Sequence, residues 1–384
     1  MRIAGDWLNH PGTQGLCAAL EAAGYHALMV GGCVRNAILG LPVADIDLST
    51  DATPDRVTEL AEAAGFRVVP TGLDHGTVTV IAHHRPHEVT TFRHDVETFG
   101  RHATIAFADG VADDAARRDF TMNALYADAR GEVIDPLGGL PDLLARRVRF
   151  VGDADTRIRE DYLRILRFFR FHAHYGAPEA GIDAEGLAAC AANSAGLETL
   201  SRERIGAELK KLLSAPDPAP AVAAMAQAGI LSHVLTGADP RALAPLVHLE
   251  NGLAAEPLRR LAALGGEDPS EHLRLSRKEA NTLHALREAI GSADTPAVLG
   301  WRLGAGRARD VLLLRAAVLE APLVEADAEI ARGAGAKFPV RSADLTGLSG
   351  PALGAALKAL EARWIASDLR LTRRELLDGW KNEG

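Results

Sequence analysis

Two regimes of apolar patterning succeed each other along this chain. Up to about residue 140 the apolar residues come in short runs parted by glycine turns, and beyond about residue 142 they recur at helical spacing. In the first part, residues 27–30 read as a short buried strand, followed by a turn at Gly31-Gly32 and a helix through about Leu39. Ile46 and Leu48 alternate with Asp45 and Asp47, the period-two pattern of a strand. Residues 78–81 and 88–92 are further β-rich runs, joined by a polar turn at 83–86. Residues 121–126 fit helix or strand, and 132–134 a strand.

In the second part, Tyr162, Ile165, Leu166 and Phe169 fall on one apolar helical face. Residues 187–192, 204–213, 220–228 and 240–249 continue helically, with Pro245 expected to break the last of them. The Pro-rich stretch 214–220 reads as a linker or sharp turn, and 354–369 and 373–380 as Ala/Leu-rich helices. There is no fixed-period repeat and no low-complexity tail. The pattern predicts the α+β class: an α+β head, then an all-α remainder.

A chain of 384 residues exceeds one ordinary core, so two or three domains are expected. No apolar run approaches the roughly 20 residues of a membrane helix, and the N-terminus lacks a secretory apolar stretch. Cys17, Cys33 and Cys190 are too far apart for a disulfide framework or a zinc site, which points to a reducing cytoplasm. The net charge of −9 weighs against a nucleic-acid partner without excluding one, since local patches decide affinity. The basic residues are almost all arginine, which suits phosphates and base stacking but also fits a GC-rich genome.

Five segments could carry chemistry. In Gly31-Gly32-Cys33-Val34-Arg35, the glycines let backbone N–H groups approach a phosphate, and Arg35 follows one turn on. Asp45 and Asp47, two apart on a strand, project to one side and could hold magnesium between a triphosphate and an attacking hydroxyl. Taken alone, either part also fits an ordinary turn or a solvated edge. Glu88, in His87–Arg93, could be a third carboxylate or the base that takes the hydroxyl proton, or else a strand-edge acid paired to an arginine. In the run from Arg117 to Ala124, Arg117 and Arg118 could clamp phosphate while Asp119 caps a helix.

In the run from Glu160 to Arg170, read as a helix, Asp161 and Arg164 are i, i+3 neighbours, with Arg167 further round. Such a pair could imitate a base's pairing edge; a salt-bridged solvated face is the plainer reading. Arg204 and Glu208 form an i, i+4 pair behind the N-cap Ser201, and structural support of the preceding segment is the expected role. His83, His84 and His87 read as surface residues, and His172 and His174 as either core-edge or RNA-facing. Trp301, Trp364 and Trp380 read as helix packing.

In order, VGGCVRNAILG with DIDLST, HEVTTFR, RRDFTMNALYAD, DPLGGLPDLLARRVRFVG, EDYLRILRFFRF and ERIGAEL resemble the class II tRNA nucleotidyltransferase and poly(A) polymerase family. That family lies within the polymerase-β-like superfamily, and the bacterial CCA-adding enzymes are the best fit. The matching set spans residues 30–213. The resemblance implies a nucleotidyltransferase head over 1–140, a base-recognising and RNA-binding neck over 141–215, and a tRNA-binding body and tail over 216–384. It implies template-independent addition of CCA to tRNA from CTP and ATP; the cytoplasm, no membrane and no obligatory protein partner are expected besides.

By position, the resemblance puts the metals on Asp45 and Asp47, a helper carboxylate at Glu88, and the triphosphate on Gly31, Gly32 and Arg35. Arg118 contacts the nucleotide, Asp161 and Arg164 pair with the base, and Arg167 and Arg170 meet the nucleotide or the RNA end. Asp119 is the other contender for the third carboxylate. Poly(A) polymerase and CC- or A-adding specialists share these segments; a catalytically silent RNA-binding module is disfavoured by the intact carboxylates. Asn36 replaces the family's usual acid, and no His-Asp phosphohydrolase motif follows the neck. Residues 93–107 occupy the place of the loop that full CCA-adding members use to switch from C to A.

Overall fold

The computed structural model describes residues 1–73, 76–99, 102–108 and 110–381. They divide into two compact units, Met1–Val234 and Leu235–Gly384. The strands of the first unit are β1 (Leu28–Val30), β2 (Asp47–Thr50), β3 (Arg67–Val69), β4 (Thr77–Ala82), β5 (Arg85–Thr91), β6 (Arg93–Phe99), β7 (His102–Phe107), β8 (Tyr126–Ala127) and β9 (Val133–Ile134). Seven of them form one sheet in the order β3-β4-β5-β2-β1-β8-β9, and β6 pairs with β7 alone. Within the large sheet β2 and β5 run parallel, and the other neighbours run antiparallel.

The helices of this unit are α1 (Pro11–Ala22), α2 (Gly32–Ile38), α3 (Pro54–Ala63), α4 (Val111–Ala116), α5 (Leu140–Leu144), α6 (Ala154–Glu160), α7 (Leu163–Tyr175), α8 (Ala184–Ala192), α9 (Arg202–Leu213), α10 (Ala219–Gln227) and α11 (Ile230–Val234). Helices α1 and α3 pack on the β3–β5 end of the sheet. Strand β4 alternates, burying Val78, Val80 and Ala82 on the covered side. Behind the other end, Phe120, Phe150, Phe168 and Phe171 form an aromatic cluster that joins the sheet to α7. Helix α7 in turn packs on α9 and α10. The α+β head followed by helices is therefore as expected.

Local departures have physical reasons. The turn between β4 and β5 is only His83-His84, both at positive φ (48° and 64°), the mirror-image turn that suits a two-residue hairpin. Pro86 and His87 therefore lie in β5. His87 is fully buried, not a surface residue, with Nε2 at 2.9 Å from Thr13 Oγ1 of α1. Burial pushes its imidazole below the usual range. Pro245 breaks nothing: the helix over 243–250 begins only two residues before it, where a missing N–H costs no bond. Residues 121–126 resolve into a 3₁₀ turn and the start of β8. Residues 93–107 are a hairpin of β6 and β7; Gly100 and Arg101 lie outside the described residues.

The second unit is helical: α12 (Leu243–Glu250), α13 (Pro257–Leu264), α14 (Pro269–His272), α15 (Arg277–Ile290), α16 (Pro296–Leu303), α17 (Ala305–Val318), α18 (Asp327–Gly335), α19 (Gly350–Ala366) and α20 (Arg373–Lys381). Helices α16 and α18 touch backbone to backbone, since a Cβ on Gly333 would lie 1.8 Å from the Ala297 carbonyl oxygen. Trp364 is buried between α16 and α19 neighbours, with Trp301 and Trp380 packed against the same core. No helix among the described residues is long and apolar enough to cross a membrane, and the three cysteines are free and buried.

Candidate active site

Strand β1 runs directly into Gly31, whose φ of 68° and ψ of −115° exclude side-chain-bearing residues. A Cβ there would also lie 3.4 Å from Arg118 Nη1. Helix α2 then starts at Gly32, and Cys33 Sγ reaches the Val30 carbonyl at 3.3 Å and the Asp47 carbonyl at 3.8 Å. Those contacts tie the glycine turn to the head of β2.

Asp47 is the first residue of β2 and stands in parallel register with Glu88 of β5. Side chains paired in register share a face, so the two carboxylates are neighbours. Asp45 precedes the strand and is exposed; the predicted two-residue projection from one strand is replaced by one strand residue and one loop residue. Burial, and then the nearby Glu88, push the Asp47 carboxyl up to about 6; Arg118 opposes the rise and Asp45 adds to it. Negative charge is thus crowded here beyond what the protein neutralises. Among the described residues no three His, Cys, Asp or Glu side chains form a metal group by themselves. Two carboxylates are still the donor set magnesium accepts when phosphate oxygens and water complete its sphere.

Arg118 also acts on this cluster. Its Nη2 donates to Asp114 Oδ2 at 2.8 Å and its Nε to the Tyr126 hydroxyl at 3.0 Å. Asp114, wholly buried, also receives Arg117 (2.7 Å), the Tyr126 hydroxyl (2.7 Å) and Ser49 Oγ (3.3 Å). Burial alone would raise the Asp114 carboxyl, but the two arginines and the Tyr126 hydrogen bond bring it down to about 2. Arg117 and Arg118 are therefore not a free phosphate clamp: both are anchored on one acid.

Asp119 caps no helix. Its Oδ1 accepts from the Phe120 N–H and Asn123 Nδ2, both at 2.9 Å, and its Oδ2 accepts from Arg167 Nε at 2.8 Å. Of the two contenders for the third carboxylate, Glu88 adjoins Asp47 and Asp119 is committed to Arg167. Asn123 Oδ1 accepts from Arg35 Nη1 at 2.6 Å, so one hydrogen-bonded chain links Arg35, Asn123, Asp119 and Arg167.

Asp161 and Arg164 do not share a helix. Helix α6 ends at Glu160, and Asp161 is extended (φ −153°, ψ 104°). Its Oδ1 accepts from the Leu163 N–H at 3.1 Å and its Oδ2 from Arg204 Nη2 at 2.6 Å. Arg164 turns instead to Glu160 (2.5 Å) and to the Arg157 carbonyl (2.8 Å). The expected Arg204–Glu208 pair is replaced likewise, since Glu208 pairs with Arg170 at 2.7 Å. Helix α9, N-capped by Ser201 as expected, therefore holds both the acid and the last arginine of the preceding segment. Arg35, Arg167 and Arg170 all lie over the Phe171 ring, at 5.3, 5.4 and 4.8 Å from its centroid.

Sequence reasoning passed over Asp114, Asn123, Tyr126 and Tyr175. Asp114 left a readable signal, standing three and four residues before Arg117 and Arg118 on a short helix. Tyr126 and Tyr175 left none: Arg118 stands eight residues before Tyr126, a spacing that matches no local pairing pattern, and Arg35 comes from a distant segment.

Comparison with known proteins agrees with this architecture. Residues 27–149 match the family model of the poly A polymerase head domain, and 181–241 match that of the probable RNA and SrmB-binding site of polymerase A. The mitochondrial CCA tRNA nucleotidyltransferase 1 of Danio rerio is 32% identical over 389 residues, covering 95% of this chain and 89% of that protein. The CCA-adding enzyme of Geobacillus stearothermophilus is 34% identical over 324 residues, covering 80% and 78%. The crystal structure of the Bacillus stearothermophilus CCA-adding enzyme in complex with CTP superposes with a TM-score of 0.71 at 27% identity, covering 93% of each chain. With nearly its whole length aligned to such relatives, and the head's carboxylates and glycine turn built as described, the chain belongs to the class II CCA-adding tRNA nucleotidyltransferase family.

Proposed function

We propose that this chain adds CCA to the 3′ end of tRNA without a nucleic-acid template, using CTP twice and then ATP. The observation that carries the reading is the β2–β5 register, which sets Asp47 beside Glu88 with Arg118 acting on the same carboxylate. In each step the tRNA 3′-oxygen bonds to the α-phosphorus, the bond to the β-phosphate oxygen breaks, and pyrophosphate leaves. A divalent cation, taken to be magnesium, would be held by Asp45 and Asp47 and supplies charge neutralisation on the triphosphate and a more acidic hydroxyl. Glu88, beside Asp47, would help receive the hydroxyl proton.

Gly31 and Gly32 give the triphosphate close backbone approach, while Arg35 and Arg118 bring positive charge. Asp161 and Arg164 are assigned to the base edge, with Arg204 and Glu160 holding them in orientation. Arg167 and Arg170 are assigned to the nucleotide or the RNA end. The proposed neck, 141–215, lies wholly within the first compact unit. The hairpin of β6 and β7 stands where the C-to-A switching loop is expected, which favours a full CCA-adding enzyme over a CC-adding one. We place the enzyme in the cytoplasm, in keeping with its free thiols.

The deciding experiment offers a tRNA transcript lacking its last three nucleotides to the enzyme with CTP, ATP or both, resolved at single-nucleotide length. Two additions with CTP and a third only when ATP is present establish the activity. A long ladder with ATP alone identifies a poly(A) polymerase, the reading that the head-domain match also admits.

A further inference from the structure

We infer that Tyr175 is a positioning residue for Arg35, and that it sets how firmly the incoming triphosphate is held. The inference rests on the function proposed above. Arg35 Nη2 lies 3.8 Å from where a Cβ on Gly32 would be, so the guanidinium is against the turn assigned to the triphosphate. The residue is only 7% exposed. Tyr175 ends α7, far away in sequence, yet its hydroxyl accepts from Arg35 Nη2 at 2.8 Å and its ring centroid is 4.1 Å from the guanidinium carbon.

The other partners of Arg35 are also neutral. Nε and Nη2 donate to Asn36 Oδ1 at 3.2 and 3.0 Å, and Nη1 donates to Asn123 Oδ1 at 2.6 Å. These bonds leave one Nη1 hydrogen for a phosphate oxygen. What Arg35 offers is therefore mainly a fixed positive charge. Among the described residues no carboxylate forms an ion pair with it; the acid that acts on it from further off, Asp119, is paired to Arg167. A ring face suits this task, because it attracts a cation through its quadrupole and adds no negative charge. The crowding of three guanidinium groups over Phe171 makes such holding necessary, and Phe171 and Tyr175 are themselves in ring contact at 5.4 Å.

The experiment measures steady-state incorporation by the full chain, of CTP on tRNA lacking CCA and of ATP on tRNA ending in CC, for wild type, Tyr175→Leu and Tyr175→Phe. Tyr175→Leu is expected to raise KM for CTP and for ATP alike, by about tenfold, with kcat and the KM for tRNA changed less than about threefold. Tyr175→Phe, which keeps the ring, is expected to recover most of that loss. A raised KM for both nucleotides with rescue by phenylalanine supports the inference. Unchanged nucleotide KM in Tyr175→Leu, a loss confined to kcat, or a rise for tRNA alone overturns it. Should the leucine variant not fold, Tyr175→Met, which also removes the ring, takes its place: a raised KM for both nucleotides supports the inference, and no rise overturns it. A wild type that adds neither nucleotide removes the proposed function as well; an active wild type with unchanged variant KM removes only the role of Tyr175.

Discussion

Replacing Asp114 by alanine should destabilise the first unit more than any other single change near the site. The carboxylate is fully buried and serves Arg117, Arg118, Tyr126 and Ser49 together. Removing it leaves two arginines without their counter-ion in a nearly dry place, which costs about 3–5 kcal/mol. For a unit the size of Met1–Val234 that corresponds to a fall in Tm of about 6–20 °C. Asp114→Asn keeps one acceptor oxygen and should cost less, about 1–3 kcal/mol. The carboxyl titrates at about 2 in the fold against 3.8 ordinarily, so its ionisation contributes roughly 2.5 kcal/mol.

The sign follows from the depressed value: the contribution is complete above the unfolded pKa and is lost as pH falls through about 2. The stability gap between wild type and Asp114→Asn should therefore narrow between about pH 4 and pH 2. Thermal unfolding by far-UV circular dichroism measures both effects, with hydrogen exchange of the sheet amides assigning the transition. An alanine variant melting within about 2 °C of wild type, or a gap that stays constant down to pH 2, would refute the reasoning.

Other outcomes are expected on the same grounds. Asp45→Ala and Asp47→Asn should each lower incorporation by about a hundredfold or more and leave the Kd for tRNA within about threefold, and a chelator should abolish activity until magnesium is restored; activity retained in Asp47→Asn contradicts the metal role. Arg204→Ala should release Asp161 and reduce CTP-against-ATP discrimination by about tenfold, with little change in Tm because the pair is partly solvated. A loss of rate with discrimination intact would show that Arg204 does not act through Asp161. Gly333→Ala should cost the second unit about 1–3 kcal/mol in urea unfolding, since α16 and α18 must part to admit the methyl group. Gly335→Ala, which meets nothing within 4 Å, is the control that should stay near wild type.

Much of this enzyme could be read from local pattern alone. Period-two alternation, helical spacing and the glycine turn located β1, α2, β4, β5, α7, α9 and α10, because each answers to forces acting within a few residues. The ordered motifs named the residues of the site, since chemistry that needs phosphate approach, paired carboxylates and arginines needs those residue types in any fold. The partners of those residues were not legible. Asp161 meets Arg204 rather than Arg164, Asp119 meets Arg167 rather than a helix end, and His87 is buried rather than exposed. For Asp161 the i, i+3 spacing to Arg164, and for Arg204 the i, i+4 spacing to Glu208, offered a local partner worth a few tenths of a kcal/mol. A distant group brought in by packing, at lower dielectric and with better geometry, outcompeted it. Sequence by itself determined which elements form and which chemistry they carry. Only the tertiary structure decided which charges meet, because electrostatic choice among arginines depends on burial, and burial is a property of the assembled unit.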